Sequence, residues 1–152
     1  MIDKLVKFIR AAKHVYLCGN GGSAANAIHI ANDLIAAGVR AHALTADVAT
    51  LTAIANDYGY NKVFSRQIEV FGQKGDLLIV LSGSGCSQNI INALARAADK
   101  KMRTVSVFGA YNIVKYDWAD LRIWTGNTMQ AAEEYQLFLG HALMRRLRAK
   151  RS

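Results

Sequence analysis

The run Asp76-Leu77-Leu78-Ile79-Val80-Leu81, continuing into Ser82-Gly83-Ser84-Gly85-Cys86-Ser87, decides how the rest of the chain is read. Five consecutive apolar side chains from Leu77 to Leu81 leave no polar face. A strand made of them has to be covered on both sides, which is the situation of a central strand in a parallel sheet. The serine- and glycine-rich hexapeptide ends the apolar run, and a helical pattern over 88–100 follows it.

The same grammar repeats on either side. His14-Val15-Tyr16-Leu17-Cys18 is a second short apolar strand, ending in Gly19-Asn20-Gly21-Gly22-Ser23. A helix over 23–37 follows, with Ile28, Ala31, Leu34 and Ile35 at helical spacing and Gly38 as its stop. Val39–Leu44 is the next strand, and 48–56 and 61–71 are helices separated by Asp57-Tyr58-Gly59-Tyr60. Arg103–Phe108 and Asp120–Trp124 are further strands, and 129–148 is a long final helix. A short helix over 2–12, with Ile2, Leu5, Val6 and Ile9 on one face, precedes them all. Alternation of this kind predicts an α/β fold, a parallel sheet with helices on both faces and right-handed crossovers. With no repeat, linker or proline, residues 1–152 read as a single domain. Ligands in such sheets bind beyond the carboxyl ends of the strands, where both small-residue loops fall.

Those loops carry the chemistry. In the first, small residues let the backbone approach a ligand, and the free N–H groups of the helix start attract an anion. Its Gly19, Gly21, Ala24 spacing also meets the loose dinucleotide fingerprint, for which the partner acid would be Asp47. In the second, Ser82, Ser84 and Ser87 place three hydroxyls in a turn that opens a helix, a cradle for one phosphate. A serine nucleophile in Gly-x-Ser-x-Gly is excluded, because Ser stands at 82. One such loop is commonly no more than a helix cap; two at neighbouring strand ends favour a phosphate ester.

Bulk properties narrow the class further. A chain with 52% hydrophobic and 20% charged residues is globular rather than disordered. The net charge of +8 owes most of its excess to the C-terminal segment 145–152, which holds Arg145, Arg146, Arg148, Lys150 and Arg151 and no acid. Such a tail complements a helix dipole and reads as solvated, so no nucleic acid is expected. No apolar run reaches the length of a membrane span, and Met1–Lys7 reads as an amphipathic helix rather than a signal peptide. Two scattered cysteines, Cys18 and Cys86, form neither a disulfide framework nor a CxxC site, which points to a reducing cytoplasm.

The runs Gly19–Leu34, Leu51–Tyr60 with Val63–Gln67, and Gly75–Ser87 resemble, in order and spacing, the three signatures of the phosphoheptose isomerase branch of the sugar isomerase (SIS) domain family. The resemblance implies a flavodoxin-like three-layer sandwich with a five-stranded parallel sheet. It implies an aldose–ketose isomerase converting sedoheptulose 7-phosphate to D-glycero-manno-heptose 7-phosphate, acting as a homo-oligomer, a dimer or tetramer with its sites at subunit interfaces. Matching substrate and phosphate positions are Asn20, Gly21, Ser23, Asp57, Ser82, Ser84, Ser87 and Glu133. The catalytic positions match Asp33, where the family usually has glutamate, and His141. Some members bind zinc, and the corresponding positions are His29, Asp33, Glu133 and His141; no cofactor is otherwise required.

On the residues alone, His29 and Asp33 are four apart and share a helix face, a spacing that suits a shared ligand or a plain polar pair. Glu133 and His141 stand eight apart, on the order of 12 Å along a helix. Both could join His29 and Asp33 around one ion only through a neighbouring subunit or a distorted helix. Asp33 reaches one methylene less than glutamate, roughly an ångström. Against the pattern of the family that the chain resembles, Glu133 replaces a usual glutamine, and Gly83 a common threonine. His14 and His42 read as packed strand-side histidines, Cys86 as a small loop residue, and Tyr111, Tyr116, Trp118 and Trp124 as packing or contact residues. The alternative function is a non-catalytic SIS module that binds a sugar phosphate or a protein partner, as in a replication-initiator scaffold.

Overall fold

The computed structural model describes residues 1–109 and 119–149. Five strands form one sheet: β1 (Val15–Cys18), β2 (Ala41–Ala43), β3 (Leu77–Ser82), β4 (Arg103–Phe108) and β5 (Leu121–Trp124). Their spatial order is β2-β1-β3-β4-β5, and every pairing is parallel. All six residues of β3 are buried, as its unbroken apolar run requires.

The helices are α1 (Ile2–Ala11), α2 (Gly22–Ala36), α3 (Val48–Tyr58), α4 (Ser65–Phe71), α5 (Gln88–Asp99) and α6 (Met129–Arg148). Side chains alternate across the sheet with period two. Val15, Leu17, Leu77, Ile79, Leu81, Val105 and Val107 pack against α1, α2 and α6. Tyr16, Cys18, Leu78, Val80 and Phe108 pack against α4 and α5 on the other face. The result is the expected flavodoxin-like three-layer sandwich.

Local chemistry explains the boundaries. Gly38 ends α2 with φ of 78°. Its N–H bonds Ile35 O at 2.8 Å and the Val39 N–H bonds Leu34 O at 2.9 Å, the paired bonds of a Schellman stop. That arrangement uses Val39 and shortens the expected strand 39–44 to Ala41–Ala43. The expected helix 61–71 is instead a 3₁₀ turn, Tyr60–Lys62, followed by α4. The Lys62 and Val63 N–H groups bond Gly59 O and Tyr60 O at 3.0 and 3.3 Å, the i→i+3 pattern of a 3₁₀ turn, and Val63 and Phe64, both fully buried, lie between that turn and α4. The helix expected over 48–56 runs on to Tyr58, where Gly59 closes it at φ of 87°.

Candidate active site

The chain reverses direction along the sheet between β1 and β3, which lie side by side with Cys18 opposite Val80. A crevice opens at such a switch point. Both small-residue loops meet there. Asn20, Ser23, Ser82, Gly83, Ser84, Ser87 and Met129 line one cavity of about 70 Å³. Gly19 makes the first turn possible, because a Cβ there would lie 2.6 Å from Ser23 O. Gly21 takes a positive φ of 55° to start α2.

The second loop is organised by its own hydroxyls. Ser82 Oγ accepts the Gly85 N–H at 2.9 Å and lies 3.5 Å from Ser84 Oγ, and Ser84 Oγ accepts the Cys86 N–H at 3.4 Å. Ser87 is the N-cap of α5, but its side chain makes no capping bond. Its hydroxyl and the first N–H groups of α5 are therefore open to an anion. None of the seven lining residues, all of them among the described residues, is cationic; the polar groups they offer are neutral donors and helix starts. Met129 is a lining residue that the sequence did not single out. Its sulfur occupies the place where a Cβ on Gly83 would project.

The loops are tied together by Asn20 and Asn89. Asn20 Nδ2 donates to Asn89 Oδ1 at 3.0 Å and Asn89 Nδ2 donates to Asn20 Oδ1 at 2.8 Å. Tyr60 Oη also donates to Asn20 Oδ1, at 2.9 Å. Asp57 lies outside this cavity, exposed near the end of α3, with its carboxylate accepting from Asn56 Nδ2 at 2.9 Å.

Further along α2, the expected polar pair finds a third member on α6. His29 Nε2 lies 3.5 Å from Asp33 Oδ2 and 3.0 Å from His141 Nε2, and His141 Nε2 is 3.8 Å from the same carboxylate oxygen. Asp33 Oδ2 is buried without a hydrogen-bond partner among the described residues. Tetrahedral zinc with nitrogen and oxygen ligands at ~2.0–2.2 Å sets its donor atoms about 3.3 Å apart. The three separations scatter around that value, and the orphaned oxygen faces the two imidazoles, so the donor set fits a small divalent cation. Glu133 stands apart. Its carboxylate lies against Gly22 at the start of α2, in the space a Gly22 side chain would need.

Packing between α2 and α6 makes this cluster. Gly140, next to His141, sits so close to α2 that a Cβ on it would lie 2.6 Å from Ile30 Cγ1. Asn26 Nδ2 donates to the Glu133 carbonyl at 2.9 Å and to Gln136 Oε1 at 3.1 Å. Gln136 is fully buried. It lies on the stripe of Ala132, Leu139 and Leu143, so a polar residue on an apolar face was its sequence signal.

A family model for the SIS domain matches residues 1–109. A phosphoheptose isomerase from Sulfurimonas denitrificans is 41% identical over 150 residues, covering 93% of this chain and 77% of the relative. The chain belongs to the SIS domain family, in its phosphoheptose isomerase branch. A second member, the phosphoheptose isomerase of Roseiflexus, is 43% identical over 125 residues, and that match covers 78% of this chain and 64% of the relative's length. The solved phosphoheptose isomerase of Neisseria gonorrhoeae superposes with a TM-score of 0.86 at 31% identity, over 97% of this chain and 83% of that one.

The remaining singled-out residues of this SIS domain lie elsewhere. The backbone N–H of His14 donates to Asp76 Oδ1 at 3.2 Å, at the end of the sheet opposite the loops. His42 is exposed on the edge strand β2. Asp47, the acid a dinucleotide fold would have used, caps α3 through the Ala49 and Thr50 N–H groups at 3.0 and 3.2 Å. Cys18 is buried, which raises its thiol pKa, and Cys86 is exposed. Trp124 is half exposed on β5. Tyr111, Tyr116 and Trp118, like Lys150 and Arg151 of the tail, fall outside the described residues. Among the described residues no helix is long and apolar enough to cross a membrane.

Proposed function

We propose that this SIS domain, spanning residues 1–152, is a phosphosugar aldose–ketose isomerase converting sedoheptulose 7-phosphate to D-glycero-manno-heptose 7-phosphate. One observation carries the reading: α2 begins at the serine-lined cavity and bears His29 and Asp33, two of the three members of the carboxylate–imidazole cluster. From Ser23 to His29 and Asp33 is about 9 to 15 Å at 1.5 Å per residue. A seven-carbon chain from its phosphate to its carbonyl end spans on the order of 10 Å at ordinary bond lengths. A phosphate gripped by Asn20, Ser23, Ser82, Ser84 and Ser87 therefore delivers C1 and C2 to the cluster. Gly21 supplies backbone at the loop, and Asp57 and Glu133 border the sugar.

Isomerisation moves a proton between adjacent carbons through an enediol. The Asp33 carboxylate takes a proton from C1 while His141, as imidazolium, gives one to O2, forming the enediol. His141 then takes the proton from O1 and is restored, and the proton held by Asp33 returns to C2, leaving an aldehyde at C1. Burial of Asp33 keeps water from competing for that proton. Were zinc bound, His29, Asp33 and His141 would hold it, and it would polarise the sugar oxygens as a Lewis acid. Glu133, the fourth residue that the resemblance suggests as a ligand, lies away from these three and is assigned to the sugar side.

The helices that carry the triad also expose apolar side chains: Ile28 and Ile35 on α2 and Phe138 on α6 are 44%, 56% and 56% exposed, and α3 buries no residue at all. Apolar area of this kind suits a covering copy of the same chain, giving a homo-oligomer with its sites at subunit interfaces. Two unpaired cysteines suit the cytoplasm.

The test is an NMR-monitored incubation with sedoheptulose 7-phosphate, with and without a chelator. Appearance of the aldose is expected, and Ser84→Leu should abolish binding with the fold intact. Tight binding without turnover would leave a sugar-phosphate-binding module, and absence of binding would end the proposal.

A further inference from the structure

We propose that Tyr60 and Asn89 are positioning residues that lock the Asn20 side-chain amide so that it faces the phosphate cavity as a hydrogen-bond donor. The inference rests on the phosphosugar reading and assigns roles to two residues outside it. Asn20 Oδ1 accepts two bonds, from Tyr60 Oη at 2.9 Å and Asn89 Nδ2 at 2.8 Å, which fills both of its lone pairs. Asn20 Nδ2 gives one hydrogen to Asn89 Oδ1 at 3.0 Å. One N–H is left over, on a residue that lines the cavity.

The Asn20–Asn89 pair does not by itself choose that orientation. If both amides turned over together, their two reciprocal bonds would re-form with donor and acceptor exchanged. Asn20 would then present its carbonyl oxygen to the cavity, where it would repel a phosphate. Tyr60 breaks this degeneracy. A phenol hydroxyl is a better donor than acceptor, so it favours the arrangement in which Asn20 turns Oδ1 toward it. Asn89, only 3% exposed, holds the other edge of the amide rigid. The tether has a structural counterpart: Tyr60 follows the positive-φ Gly59 and opens the 3₁₀ turn, fastening the end of α3 to the first loop. With no cation among the described lining residues, the direction of each neutral dipole bears on whether an anion is welcome.

The experiment measures KM and kcat with sedoheptulose 7-phosphate, and Kd with inorganic phosphate, for the wild type, Tyr60→Phe, Asn20→Ala and the double variant. Tyr60→Phe should raise KM and Kd about threefold to tenfold, the factor one neutral hydrogen bond carries, with kcat unchanged. The same change in the Asn20→Ala background should do nothing, because the group it orients is gone. Asn20→Asp is the second background should Asn20→Ala fold poorly. It presents only acceptors whichever way it turns, so loss of the Tyr60 hydroxyl should not matter there either. An unchanged KM and Kd in Tyr60→Phe, or an equal loss in both backgrounds, overturns the assignment while leaving the isomerase reading standing. A wild type that binds neither ligand overturns both.

Discussion

Gly140→Ala isolates what holds the carboxylate and imidazoles together. The new methyl would start 2.6 Å from Ile30 Cγ1, against the 3.4–4 Å of ordinary contact. Ile30 is 2% exposed and β-branched, so it has little room or freedom to turn aside. The two helices must therefore part by about 1 Å. Overpacking of this kind costs about 1–3 kcal/mol, while replacing glycine by alanine inside a helix returns about 1 kcal/mol. The net loss is about 0–2 kcal/mol, or roughly 0–8 °C in Tm for a chain of this size. The effect on activity is of another order. His141 moves with Gly140, and a displacement of about 1 Å at a reacting group costs on the order of 100-fold in rate. The assay is kcat for sedoheptulose 7-phosphate beside thermal unfolding followed by circular dichroism. Ile30→Ala added to Gly140→Ala removes the clashing carbon and should restore most of the rate, though it lowers stability. A Gly140→Ala protein with wild-type kcat, or one that Ile30→Ala fails to rescue, would refute the view that this helix contact sets the site geometry.

Other outcomes follow from the same geometry. His141→Ala should lose isomerisation yet keep its affinity for the phosphosugar, since His141 lies in the triad and not in the cavity; retained turnover would place proton transfer on another residue. Glu133→Gln removes a negative charge from the start of α2 and should tighten phosphate binding by about threefold, read by calorimetry; weaker binding would show that Glu133 itself holds the sugar. The Thr50 hydroxyl first, and then the Thr50 and Ala49 N–H groups, hold the Asp47 carboxyl below its usual range. The stability this cap adds is therefore complete above the ordinary carboxylate range and is lost as pH falls through the lowered value. The Ala49 and Thr50 amide resonances should titrate below the normal aspartate range, and titration at or above it would contradict the cap.

Much of this was legible because it depends on neighbours in sequence. The apolar run Leu77–Leu81 could only be a central strand, and Gly38 could only be a helix stop. Gly19–Ser23 and Ser82–Ser87 lay at strand ends whatever the exact sheet order. The break between Lys62 and Ser65 was less visible, because the 3₁₀ turn Tyr60–Lys62 and the helix Ser65–Phe71 differ in hydrogen-bond spacing and not in composition. Asn89 and Tyr60 escaped notice for a different reason. Each is unremarkable among its own neighbours, and their importance comes from partners 69 and 40 residues away.

The order of hydrophobic and small residues along the chain determined the α/β class, the existence of the central strands and the place of both small-residue loops at strand ends. Those features arise from side-chain periodicity and backbone freedom, which are local. Tertiary structure alone decided that β1 and β3 are neighbours, so that two loops form one cavity, and that Gly140 against Ile30 carries His141 to Asp33 and His29. It also parted Glu133 from that cluster. Such contacts depend on which helix face meets which, and close packing sets that through atoms more than 100 residues apart.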